Sequence, residues 1–287
     1  VTEGVLIAAR FALMLDLALL MGLPLFWWVM GLAGQRWVMI ALALGGILMS
    51  ALWLLASAAS MTGSAMAPPD WTTAWILLTL TPIGLVLAVR GVALLVACMC
   101  AATHRPRMTL IPALIAAATL AWTGHAGATE NMTGSLHRIA DVAHVWAAAA
   151  WIGALAVLLH SLLTLRAGTA DVRRVARMLT RFSAMGTMVV LTLAASGSIN
   201  MIMIVGWEQL PALAASRYGM LLGIKLALFG LMLGLAAINR WTLTPALDGT
   251  TAGSAVGRLR LSLLIETGAA TAIVALVAWF GTLDPSI

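Results

Sequence analysis

Two imidazoles and a carboxylate occupy positions 137, 141 and 144, inside the stretch Gly124–Trp151 (GHAGATENMTGSLHRIADVAHVWAAAAW). On a helix, His137, Asp141 and His144 are spaced i, i+4 and i+7 and stack on one face. His125 comes shortly before them, beyond a segment that also carries Met132. Neutral imidazole ligates metals near pH 7, and a carboxylate beside it can ligate too or orient a ring through its N–H. Further along, Thr192, Ser196, Asn200 and Met203 repeat at i+4, i+4 and i+3, with Met201 beside them. Thioethers are soft ligands, so histidine and methionine together favour copper over calcium or magnesium, which want oxygen. The candidate metal set is therefore His125, His137, Asp141, His144, Asn200, Met201 and Met203. The competing reading of each residue alone is packing: methionines in membrane helices mostly fill space, and Thr192 and Ser196 suit hydrogen bonding between helices.

What must position these residues is a membrane bundle. Hydrophobic residues make up 62% of the 287 and charged residues 9%, against roughly 25% charged in soluble domains. The mean hydropathy is +1.04. Apolar runs fall at 4–31, 37–59, 76–103, 108–124, 136–165, 178–206, 218–243 and 259–282. Each approaches or exceeds the ~20 residues that cross ~30 Å of hydrocarbon. The expectation is an all-α polytopic membrane bundle of eight spans, one membrane domain over 1–287. The shortest run, 108–124, has Pro112 near its start. The first run has neither a cationic start nor a cleavage signal and reads as a retained span.

The loops set the orientation. Alternate loops hold Arg36; Arg105 and Arg107; Arg166, Arg173, Arg174, Arg177 and Arg181; and Arg240, Arg258 and Arg260. The opposite loops have Arg138 and Arg217. By the positive-inside rule the arginine-rich side is cytoplasmic and both termini face outward. The net charge of +6 is thus a topology signal, and no nucleic-acid partner is implied.

Ionisable residues within spans are costly and mark function or internal pairing. They are Arg10, Asp16, Arg90, Asp141, Lys225 and Glu266. Three cations and three anions can neutralise one another structurally. The functional alternative is a polar pathway through Arg10, Asp16, Arg90, Lys225 and Glu266, continuing inward from the outer stripe. In the seventh span Tyr218, Lys225, Met232 and Asn239 recur every seven residues. Toward the inner end of the third span, Cys98 and Cys100 point about 160° apart on a helix, so only Cys100 and His104 share a face as a possible inner site.

The chain resembles the CopD family of copper-resistance membrane proteins. The resemblance is carried by Trp122-Thr-Gly-His125-Ala; Asp141-Val-Ala-His144 with an alanine-rich helix and Trp151-Ile-Gly153; and Arg181-Phe-Ser183 with Ser196-Gly197. Further along it continues in Tyr218-Gly219 with Lys225, in Asn239-Arg240, and in Glu266 ahead of Asp284-Pro285. These cover most of 120–287, while 1–120 agree mainly in hydropathy and Arg90. The resemblance implies copper handling at the inner membrane, uptake of periplasmic copper toward the cytoplasm, and a CopC-type periplasmic carrier as partner. It carries over His125, Asp141 and His144 as functional positions; His137 rests on spacing alone. No fused carrier domain is visible in the sequence.

Two other classes stay open. Histidines toward both faces (His125 and His144, His104 and His160) suggest a b-type haem or quinone electron carrier. Against it, His144 and His160 lie about 160° apart around a helix. A copper sensor or assembly factor that does not transport is the other. A phosphate-binding Gly-rich loop with Lys and Ser/Thr is absent, as is any nucleophile–base–acid arrangement, so a non-enzymatic protein is expected.

Overall fold

The computed structural model describes residues 2–103, 105–123, 131–165, 169–206, 216–248 and 252–283. The long helices are α1 (Thr2–Met30), α2 (Arg36–Thr62), α4 (Pro82–Ala102), α6 (Asn131–Leu163), α7 (Thr169–Val205), α8 (Arg217–Ile238) and α9 (Ala252–Phe280); α3 (Trp71–Leu80) and α5 (Leu110–Ala118) are short. Among the described residues every regular element is helical, and seven helices are long and apolar enough to cross a membrane.

Two sequence expectations need adjusting. The run 76–103 is not one helix: α3 ends at Leu80 and α4 begins at Pro82. Proline at the first helical position starts a helix rather than continuing one. The Thr81 hydroxyl caps it by accepting from Ile83 N–H at 3.2 Å. Gly84 permits the sharp approach, because a Cβ there would collide with Leu78 O. The run 108–124 also differs from an uninterrupted span. It is α5 flanked by 3₁₀ turns at Pro106–Thr109 and Thr119–Trp122, a shorter apolar helix than the seven.

α1 and α6 form the centre. α1 packs on α2, α5, α6 and α9, and α6 also packs on α7 and α9. With no hydrophobic drive between helices in lipid, close approach must come from small residues. Gly22 of α1 meets Ala149 and Gly153 of α6 so closely that a Cβ at either glycine would overlap the opposite backbone. Ala149, Ala150 and Ala154 are buried along the same seam.

Large apolar side chains point outward: Leu44, Leu48, Leu85, Val92, Met188 and Leu226 are all exposed. That inversion fits a lipid-facing surface. Trp28, Trp37 and Trp241 are exposed near the arginine-rich end, and Trp71, Trp75 and Trp122 near the other, as expected of interfacial belts. Arg36 and Arg240 stack over Trp37 and Trp241 at 4.6 and 5.8 Å. The first turns of α7 present Arg173, Arg174, Arg177 and Arg181 at the surface.

Candidate functional site

α6 delivers His137, Asp141 and His144 to one wall of a cavity of about 230 Å³. Facing them are Asn200 and Met201 from α7, Tyr218 and Lys225 from α8, and Arg10 from α1. A second lobe of about 370 Å³ shares His144, Gly197, Met201 and Lys225 and extends to Met232 and Trp151. The helical spacing accounts for the α6 wall. The seven-residue stripe on α8 accounts for the facing one, since Tyr218, Lys225 and Met232 all line these lobes.

Hydrogen bonds between described residues tie α6 to α7. Asn200 Nδ2 donates to Asp141 Oδ1 at 3.0 Å. His144 Nδ1 lies 3.0 Å from Ser196 Oγ. Ser196 has one proton, and its hydroxyl already donates to Thr192 O at 2.5 Å. With its proton on Thr192 O, the hydroxyl accepts from His144 Nδ1–H, the tautomer in which the Nε2 lone pair is open to a cation. Gly197 lies against the ring: a Cβ there would sit 3.4 Å from His144 Cε1, in ordinary contact. Sequence reasoning read Ser196 as interhelical glue. Its tie to His144 depends on the register between α6 and α7, which no spacing within one helix reveals.

The field in the cavity is mixed. Lys225 acts electrostatically on both Asp141 and His144, and its Nζ lies 5.8 Å from the Phe280 ring centre, within cation–π range. Tyr218 is buried edge-on to the same ring at 5.4 Å. Among the described residues no three His, Cys, Asp or Glu side chains are grouped closely enough to hold a metal ion. A bound ion would thus draw on Met201, on Asn200, or on groups beyond the described residues.

The other singled-out residues are dispersed. His125 and His104 lie outside the described residues. Met203 is not in the cavity wall. His137 is buried. Asp16 is turned toward α2, where Cβ atoms at Gly45 and Gly46 would come within 2.8 and 2.9 Å of its carboxyl oxygens. Arg90 is 0% exposed and its Nε donates to Thr119 Oγ1 at 2.7 Å. Glu266 lines a different cavity, nearer the arginine-rich end. Cys98 and Cys100 are free thiols, and His160 is exposed at the far end of α6.

Fold and cavity together define a multi-pass membrane protein with a half-buried His/Asp/Lys chamber toward one end. The family profile described as "Copper resistance protein D" matches residues 176–280. A second profile, "Copper resistance protein D-like, N-terminal domain", matches 1–135. The copper resistance protein D of Pseudomonas syringae pv. tomato is 35% identical, covering 98% of this chain and 97% of its own length. The inner membrane protein YebZ of Escherichia coli K12 is 27% identical over 63% of this chain and 61% of its own. No solved structure matches. The chain belongs to the copper resistance protein D (CopD) family.

Proposed function

We propose that this protein takes copper at the cavity formed by α6, α7 and α8 and carries it across the bacterial inner membrane, from the periplasm toward the cytoplasm. The observation that carries this is His144, held in the chamber wall with its Nδ1 3.0 Å from Ser196 Oγ of α7; with the proton on Nδ1, Nε2 is offered as a ligand. Asp141, Asn200 and Met201 line the chamber with it. With His125 from the segment before α6 they make up the proposed donor set; Met203, which is not in the wall, and His137, which does not group with both Asp141 and His144, stand outside it. Family membership supplies the metal, because the full-length relative is a copper resistance protein.

The cavity end is the outer end, and both termini lie on that side, because the arginines gather at the other. The turn-flanked α5 then serves as an eighth crossing. Nine α-helical residues and two four-residue 3₁₀ turns span roughly 30 Å at about 1.5 and 2.0 Å per residue, which matches the hydrocarbon thickness. A CopC-type periplasmic carrier would deliver copper at this face. Arg10 and Lys225 belong to the chamber, while Asp16 and Arg90 line a route inward or hold the bundle together. Cys100 and His104 would receive the ion at the inner end.

The test is copper accumulation in sealed vesicles containing the protein, with membrane orientation controlled. Uptake that is lost in His144→Ala supports transport. Binding without uptake would make the protein a sensor or assembly factor.

A further inference from the structure

A second cavity of about 230 Å³ opens in the arginine-rich half. Its wall includes Ser183 of α7, Glu266 of α9, and Asn239 and Arg240 from the π-helical turn Asn239–Leu243. Trp151 lines this cavity and also the inner lobe of the outer one. One buried indole, edge-on to Phe229 at 5.9 Å, therefore stands between the two chambers. π-Helical turns are rare and concentrate at functional sites.

Glu266 is 2% exposed and Asn239 6%. The Asn239 amide donates to Glu266 Oε1 at 2.5 Å, while its own Oδ1 is buried without a donor. Ser262, one turn earlier on α9, lies beside the carboxyl but outside hydrogen-bond geometry. Among the described residues no cation pairs with Glu266. Arg240, the charged group in the cavity wall, donates instead to Ser183 O and Thr187 Oγ1. α6 and α7 present only uncharged side chains to this cavity: Trp151 and Leu158, and Ser183 and Thr187 among others.

A buried carboxylate with one neutral donor and no counter-ion is poorly stabilised. A neutral acid resolves both problems at once. Its O–H supplies the donor that Asn239 Oδ1 lacks, so acid and amide satisfy each other in both directions. The chamber is polar on this wall and larger than the 10–15 Å³ or so that one water needs. Its rim, Arg240 and Trp241, is exposed. The polar donors are carboxyl, amide and hydroxyl, a set unsuited to a soft copper ion.

We propose that Glu266 and Asn239 form a proton-binding site, loaded by water from the arginine-rich side and separated by Trp151 from the outer chamber. Hydronium in the cavity passes its proton to Glu266 and remains as water; the ionised carboxylate retains the Asn239 N–H. The site needs no metal, so its failure and failure of the copper reading are separate results.

The test is modification of the full-length protein in lipid nanodiscs by dicyclohexylcarbodiimide, which adds to protonated carboxylic acids and leaves an N-acylurea on the side chain. Peptide mass spectrometry reads the extent at Glu266 and, as reference, at exposed Glu3. The expected result is modification at Glu266 that rises as pH falls, with its midpoint above that of Glu3. It is absent in Glu266→Gln and unaffected by sodium. A midpoint no higher than that of Glu3, or no modification at Glu266 while Glu3 reacts, overturns the proposal. Protection by sodium at fixed pH also overturns it, since the site would then take an alkali ion. If Glu266→Gln fails to fold, the wild-type comparison of the two carboxyls decides alone.

Discussion

Replacing Lys225 with methionine should tighten copper binding, and by an amount that reports the charge of the ion. Lys225 shares the outer chamber with His144 and Asp141. A sphere of the chamber's volume, about 230 Å³, is roughly 8 Å across, and that width sets the scale of separation between an ion on His144 Nε2 and the ammonium on the facing helix. At an effective dielectric constant of about 20, two unit charges at this distance repel by about 2 kcal/mol. Removing the ammonium should raise the affinity for Cu(I) about 30-fold. For Cu(II) the repulsion doubles, and the gain becomes about 1,000-fold. Loss of the cation facing Asp141 acts in the same direction. The assay is competition with a chromophoric chelator of known affinity, with reductant for Cu(I) and without it for Cu(II). Lys225→Arg, which keeps the charge, should stay near wild type. A Lys225→Met protein that binds copper no more tightly than wild type would refute the placement of the ion in this chamber.

Three other outcomes follow from the geometry. Ser196→Ala removes the hydroxyl that His144 Nδ1 meets at 3.0 Å; losing such a support typically costs about 10–100-fold in metal affinity, measurable in the same competition assay with the melting temperature as control. Gly153→Leu forces a side chain into the α1 backbone and should destabilise by about 1–3 kcal/mol or more, seen as a lower melting temperature in detergent. Asp70 caps α3. Its carboxyl is held below the usual carboxylate range, first by the Thr73 backbone N–H and then by side-chain hydrogen bonds including Thr62. A depressed folded value means that its stabilisation is present above the ordinary carboxylate pKa and is lost as pH falls through the folded one. Asp70→Ala should therefore lower the melting temperature at pH 7 and leave it little changed in acid.

Much of the architecture could be read from hydropathy, because a membrane helix must satisfy its backbone within itself and show lipid an apolar surface. The break at Thr81-Pro82 was also written in the sequence, as a capping threonine before a first-turn proline. The apolar character of 76–103 on both sides masks it. The 108–124 run shows only its composition; neither its 3₁₀ ends nor the Arg90 bond that meets Thr119 at one of them has a signal in that composition. In the site, i, i+4, i+7 spacing groups His137, Asp141 and His144, and the seven-residue stripe groups Tyr218, Lys225 and Met232. Neither shows that Asp141 meets Asn200, that His144 meets Ser196, or that Asp16 turns toward Gly45 and Gly46. Those pairings depend on how one helix is rotated and shifted against another, and periodicity within a chain segment is blind to both.

The most direct measurement is the copper content per chain of purified protein after loading and desalting, for wild type, His144→Ala and His160→Ala. His144 lines the outer chamber, whereas His160 is exposed at the opposite end of the same helix. The account predicts stoichiometric copper in wild type and His160→Ala, and its loss in His144→Ala while the metal-free variant stays folded, with a cooperative melting transition. Full copper occupancy in His144→Ala would contradict it.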